Sequence, residues 1–210
     1  MRLSTTTIES YRLFRLEDWM TEDAMVATAL GTTEWTPRMA VGSLFEAAIN
    51  GEGSRSEGVI TVTGDHGDCR FGAGDVDRMA RILPNIRTPQ VKAEMPLIGH
   101  TLVGVADYLC GPQIRDIKTT QKTISPERYE RSIQWKSYLS LFGGDHFVFD
   151  VCQMEEEEQH VWAVRQYQTV ECFPYPGMKE YVEYWADQYV QWYNQMKELG
   201  KFEEMEHGVQ

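Results

Sequence analysis

Apolar residues along this chain fall into blocks of two different periods. The first 36 residues are mixed, with one stretch of helical spacing over Leu16–Ala29. Thr36-Pro37 then reads as a helix start, because proline in the first turn lacks only an amide hydrogen that would have no helical partner. "RMAVGSLFEAAIN" continues that helix over 38–49, to a stop at Asn50-Gly51. Residues 52–75 are rich in Gly, Ser and Asp, hold one short strand, "GVITVT", and lead into a modest helix over Asp75–Leu83. From Val91 the period changes. "VKAEMPLIGHTLVGVADYL" and "QIRDIKTT" predict three strands separated by Gly and Pro signals. "SPERYERSIQWKSYLSLFGG" predicts a helix capped by Ser125 and ended by Gly143-Gly144. Two strands, "DHFVFDVCQ" and "HVWAVRQYQTVECF", follow, and Pro174 and Pro176 separate them from an amphipathic helix over Met178–Leu199. Helices alternating with strands imply an α/β sandwich, one sheet covered by helices.

Composition narrows the class. A length of 210 residues with 42% apolar and 11% aromatic content fits one globular domain over 1–210. The opening "MRLSTTTIES" has no apolar core of a signal peptide, and no apolar run approaches the roughly 20 residues that span a bilayer. The expectation is a soluble, cytoplasmic protein with no membrane partner. Four cysteines, Cys69, Cys110, Cys152 and Cys172, form no CxxC pair, so neither a disulfide framework nor a zinc site is indicated. The net charge of −12 argues against nucleic-acid binding through a broadly basic surface. Part of it sits in "MEEEEQH" and in the acidic tail at 200–210, which read as solvated segments.

The candidate chemistry lies in the hairpin "GVADYLCGPQIRDIKTT". A turn at Gly111-Pro112 pairs Cys110 with Gln113, and counting outward sets Asp107 opposite Asp116. Like charges facing each other across two strands repel. Lys118, two residues from Asp116, projects from the same face. Two carboxylates with the Ile117 backbone carbonyl suit a hard divalent cation, while a salt bridge of Lys118 with both aspartates would also relieve the repulsion. On the helix over 38–49, Met39, Gly42, Glu46 and Ile49 form one stripe, which places a carboxylate on an inward face that needs a partner. A cation shared with the hairpin would supply one; a backbone hydrogen bond or an outward-reaching side chain would serve as well. Gln134 and Tyr138, four apart, share a helix face; the amide can orient a water or bond Lys118, and the ring can stack on a nucleotide. Arg38 lies one turn from the same face and is a candidate phosphate contact. "GDHGDC" at 64–69 lacks the spacing of a calcium loop and reads as a polar turn. The Trp and Tyr stripe over 181–193 reads as a packing face and a candidate oligomer contact.

"GSLFE", "GVADYL", "RDIKTT" and "QWKSY", in that order over residues 36–145, resemble the PD-(D/E)XK nucleases, in the branch of the RecB nuclease domain and the lambda-type phage exonucleases. "KAEMPL" around Glu94 resembles the strand that precedes the first aspartate strand in that family. The resemblance implies a restriction-endonuclease-like α-β-α sandwich with a central mixed sheet. It assigns Glu46, Asp107 and Asp116 as ligands of one or two Mg²⁺ (or Mn²⁺) ions, Lys118 as the catalytic lysine, and Gln134 with Tyr138 as the motif near DNA. Many RecB-like relatives carry His where Glu46 stands, so Glu46 leans toward the phage-exonuclease side. Some relatives bind an iron–sulfur cluster through one early and three late cysteines; Cys152 and Cys172 are too few and too distant, and no cluster is expected.

The implied activity is hydrolysis of phosphodiester bonds at DNA ends, in phage-type recombination or end processing. A structure-specific or restriction-like endonuclease on the same scaffold is a second reading. A non-catalytic protein whose acidic tail contacts an annealing or single-strand-binding partner is a third. DNA held in an enclosed basic groove, within a homo-oligomer, would reconcile the substrate with the acidic surface.

Overall fold

A computed structural model describes residues 1–84, 87–157 and 160–203. A short strand, β1 (Arg2–Ser4), leads into helix α1 (Thr5–Leu16), whose N-cap Ser4 accepts the Thr7 amide hydrogen through its hydroxyl. Helix α2 (Glu22–Leu30) is capped likewise by Thr21 and closed by Gly31 in the left-handed conformation. Two helices with a break at residues 17–21 therefore replace the single helix expected over Leu16–Ala29. Helix α3 (Pro37–Ile49) has Thr36 as its cap and Pro37 in its first turn, as expected. Strands β2 (Ser54–Ser56), β3 (Val59–Gly64) and β4 (Gly67–Gly72) form an antiparallel meander. Of these, the sequence pattern predicts only β3. The polar turn is confined to Asp65-His66, and the rest of "GDHGDC" is strand, with Gly67 supplying the positive φ at the turn exit. Helix α4 (Ala73–Ile82) follows.

The alternating region becomes three strands, β5 (Thr88–Leu97), β6 (His100–Cys110) and β7 (Gln113–Thr120), joined by tight turns. The expected single helix over 125–144 is instead α5 (Pro126–Arg131) and α6 (Gln134–Phe142). Strands β8 (His146–Glu156) and β9 (Val161–Cys172) precede helix α7 (Met178–Glu198). Within the acidic tail expected at 200–210, Phe202 is buried against Tyr193; residues 204–210 lie outside the described residues.

Among the described residues, nine strands form one mixed sheet in the order β1-β6-β7-β8-β9-β4-β3-β2, with β5 also on β6. Helices α3 and α4 pack on one face around Phe45, Phe71 and Met79. Helix α6 covers the other face around Phe147, Phe149 and Trp135, and α1 and α7 extend that layer through Tyr11, Trp185 and Trp192. No helix of the described residues is long and apolar enough to cross a membrane.

One irregularity positions the site. β5 runs along one edge of β6, so β7 and β1 share the other edge: β7 pairs with Tyr108–Cys110 and β1 with Thr101–Val103. Between them the sheet forks. Side chains complete the hydrogen bonding there. The Asp107 carboxylate accepts the Ile117 amide hydrogen at 3.0 Å, and the Tyr138 hydroxyl donates to the Val105 carbonyl at 2.8 Å. A buried strand edge leaves polar groups that need such partners.

Candidate active site

The hairpin register counted from the turn is the observed one: Tyr108↔Arg115, Leu109↔Ile114 and Cys110↔Gln113 are paired. Asp107 and Asp116 occupy the first position past that ladder, at the base of the fork. Asp116 is 1% exposed. Its Oδ1 accepts from Gln134 Nε2 at 3.1 Å, and its Oδ2 lies 2.7 Å from Lys118 Nζ. That charge-assisted contact with the ammonium is the one partner given to the buried Oδ2. Lys118 thus supplies a positive charge against the aspartates. The salt-bridge alternative is realised between the buried Asp116 and Lys118, whose side chain is 34% exposed. The N–H and C=O of one strand residue point to the same side. The Ile117 carbonyl therefore faces Asp107, as its amide does.

Glu46 arrives from α3. The stripe of Met39, Gly42, Glu46 and Ile49 is not the inward face as a whole: Met39 is 43% exposed, and the buried face is Val41, Phe45, Ala48 and Ile49. Glu46 sits at its border. Gly42 lets α3 approach β7, because a Cβ there would lie 3.0 Å from the Thr119 hydroxyl. Glu46 Oε1 accepts from Gln90 Nε2 at 2.6 Å, a contact that nothing in the sequence signalled.

These carboxylates sense one another. Burial pushes Asp107 up to about 8, Asp116 and Glu46 add to the shift, and Lys118 opposes it. Burial likewise raises Asp116, against the pull of Lys118. Glu46 is raised chiefly by burial, with the Gln90 hydrogen bond acting the other way. For Lys118, burial disfavours the charge, yet Asp116 and Asp107 outweigh it and hold the ammonium above the ordinary lysine range.

Gln134 is aimed by the break between α5 and α6. The Ser132 hydroxyl accepts the Gln134 amide hydrogen at 3.0 Å, and Glu9 Oε2 accepts that of Ile133 at 2.7 Å. Lys136, buried, donates to the Glu130 carbonyl at 3.1 Å and the Ser132 carbonyl at 2.7 Å, and burial pulls its pKa down to about 8. Tyr138 does not line the cleft. It is 4% exposed, stacks on Phe147 with centroids 5.7 Å apart, and fits only because residue 104 is Gly: a Cβ there would lie 2.6 Å from the ring. Its position is that of a structural support for the fork, not of a base-stacking surface. Glu94 lies away from the site, its carboxylate held by Arg2 at 3.0 Å.

A cleft of about 880 Å³ opens beside Lys118 and Gln134. Its lining holds Arg12, Arg38, Lys118, Lys122, Arg128 and Arg131 against Glu9, Glu17 and Glu127, so the local charge is opposite to that of the whole chain. Arg38 Nε donates to Gln121 Oε1 at 3.0 Å at the rim. Arg128 and Arg131, three apart on one helix face, were a readable signal in the sequence that composition obscured.

Among the described residues no three or more His, Cys, Asp or Glu side chains form a metal cage. The donor set still fits a hard cation. Asp116, Asp107 and Glu46 are all carboxylates that burial disfavours as bare anions, and a carbonyl faces the same fork. A Mg²⁺-type ion bound by one or two carboxylates retains waters and needs no closed protein cage.

No family model matches the sequence, and no curated protein matches it. Solved structures do match the fold. The alkaline exonuclease from Laribacter hongkongensis superposes with a TM-score of 0.52 at 13% identity, over 99% of this chain and 93% of that one. Its complex with dAMP gives 0.55 at 11% identity, over 95% and 91%. A protein from Eubacterium rectale described as an exonuclease gives 0.50 at 12% identity, over 87% and 77%. The chain has the mixed-sheet, helix-flanked fold of these nucleases.

Proposed function

We propose that the protein is a Mg²⁺- or Mn²⁺-dependent DNA exonuclease of PD-(D/E)XK type, hydrolysing phosphodiester bonds at DNA ends during recombination or end processing. The observation that carries this reading is the pair of buried, mutually repelling carboxylates Asp107 and Asp116, with Lys118 2.7 Å from Asp116, beside a cleft lined by cations. The shared fold with exonucleases, one of them solved with dAMP, supports a nucleotide substrate.

Asp107, Asp116, Glu46 and the Ile117 carbonyl would hold the cation, which when bound acidifies water and neutralises charge on the phosphoryl group. Lys118 remains an ammonium throughout the neutral range, so it acts as a donor and a fixed charge, not as a base. From 2.7 Å off Asp116 it can orient the attacking water and stabilise negative charge on the phosphoryl oxygens. Gln134 keeps the Asp116 carboxylate turned toward the fork. Arg38, Lys122, Arg128 and Arg131 receive the strand's phosphates through bidentate or point-charge contacts.

The test is digestion of end-labelled linear and covalently closed duplex DNA, in Mg²⁺, Mn²⁺ or EDTA, beside Lys118→Ala. Degradation of linear DNA alone, lost in EDTA and in the variant, is expected. Cleavage of the closed circle would replace the exonuclease reading with an endonuclease. No cutting in either metal would remove the catalytic reading.

A further inference from the structure

Strand β5 pairs with β6 from Leu97↔His100 to Thr88↔Leu109, and the ladder is interrupted at one position. Pro89 pairs with Tyr108 and Val91 with Ala106, so the missing pair is Gln90 with Asp107. Gln90 has a φ of +51°, a conformation that disfavours residues with a Cβ. It is exposed, so no core packing compensates. What it does make is one side-chain hydrogen bond, Nε2 to Glu46 Oε1 at 2.6 Å, across 44 residues of chain. Local backbone strain at a position where packing does not require it points to function.

We infer that Gln90 is a positioning residue for Glu46: the left-handed kink breaks the β5–β6 ladder opposite Asp107 and hands the Gln90 amide to one oxygen of the Glu46 carboxylate, ordering it for the cation that Asp107 and Asp116 share. The inference rests on the metal-site reading given above. An unheld glutamate would lose side-chain freedom on binding a metal; one already fixed by an amide does not. Partners that orient a ligand in this way commonly change metal affinity by about 10–100-fold.

The test uses Mn²⁺ as the probe, with calorimetric titration and metal-free thermal unfolding on the full chain. Gln90→Gly is the informative variant, because glycine accepts the positive φ while removing the amide. Its metal-free melting temperature should equal or exceed that of the parent, while its Mn²⁺ dissociation constant rises about 10–100-fold. In a Glu46→Ala background the same change should have no further effect on Mn²⁺ affinity, as coupled residues require. Unchanged Mn²⁺ affinity in Gln90→Gly, or a loss of equal size in both backgrounds, would overturn the role of Gln90 and leave the metal site standing. A parent chain that binds no Mn²⁺ would remove the metal site, and the role of Gln90 with it.

Discussion

Adjacent residues of β7 carry two buried charge clusters that differ in one respect. Toward α3 and α4, Arg115 donates to Asp150 through Nε at 2.9 Å and through a terminal nitrogen at 2.6 Å, Tyr167 donates to the same carboxylate at 2.6 Å, and Gln113 accepts from Arg115 at 2.8 Å. Every oxygen of Asp150 has an aligned donor, although its exposure is 0%. Toward α6, Asp116 is as deeply buried, yet one of its oxygens has a single partner, the partly exposed Lys118, and Asp107 is pushed up to about 8 by burial. Burial of charge does not by itself mark a working site. A closed network stabilises or specifies the fold, whereas an open one is poised for something it lacks.

The largest expected effect lies in the closed cluster. Asp150→Ala leaves a buried guanidinium without its carboxylate and should lower stability by about 3–5 kcal/mol in urea unfolding. Mn²⁺ affinity of the folded fraction should stay within twofold of the parent; a specific loss of Mn²⁺ affinity without loss of stability would reverse the assignment of the two clusters. Lys118→Met should cost less stability than Asp150→Ala, because the raised aspartates it leaves can take up a proton, and should reduce cleavage by about 10²–10³-fold, the range for removing one pre-organised donor.

Asp107→Asn should move stability in the opposite direction from Asp150→Ala. The folded-state pKa of about 8 lies above the unfolded value of roughly 3.9, so the protonated form contributes stability that is complete below about pH 4 and is lost as pH rises through about 8. The metal-free melting temperature should therefore fall between pH 5 and pH 9. Asp107→Asn should flatten that profile and gain about 0.5–2 kcal/mol at pH 9, while losing Mn²⁺ binding. A metal-free profile that rises over this window would sink the open-cluster description. The smallest change is Tyr167→Phe, worth about 1 kcal/mol because Arg115 still satisfies Asp150.

Legibility in the sequence followed the range of the interaction. The strands over 88–120 were readable because alternation and two tight turns are local, and the turn position alone set the Asp107/Asp116 register. Helix α1 was not, since three consecutive threonines at its start have weak helical preference and its first turn depends on the Ser4 cap. The α5–α6 break is tertiary: Glu9, 124 residues away, takes the Ile133 amide hydrogen. Asp116, Lys118 and Gln134 were predicted to cluster and do. Gln90 could not be foreseen, because its partner lies 44 residues away and its conformation is one that a glutamine disfavours.

The two faces of β7 also act on errors in assembly. β7 pairs in parallel with β8 over eight positions, from Gln113↔His146 to Thr120↔Gln153. A slip of one residue would turn Arg115 toward the aromatic layer of α6, away from Asp150, and Asp116 toward Phe45 and Phe71, away from Gln134. A slip of two would keep the faces but carry Arg115 out of reach of Asp150. An all-apolar strand would tolerate either misalignment at small cost. Here the Arg115–Asp150 pair acts as a key, so the strand that bears the proposed chemistry is also held against settling in the wrong place.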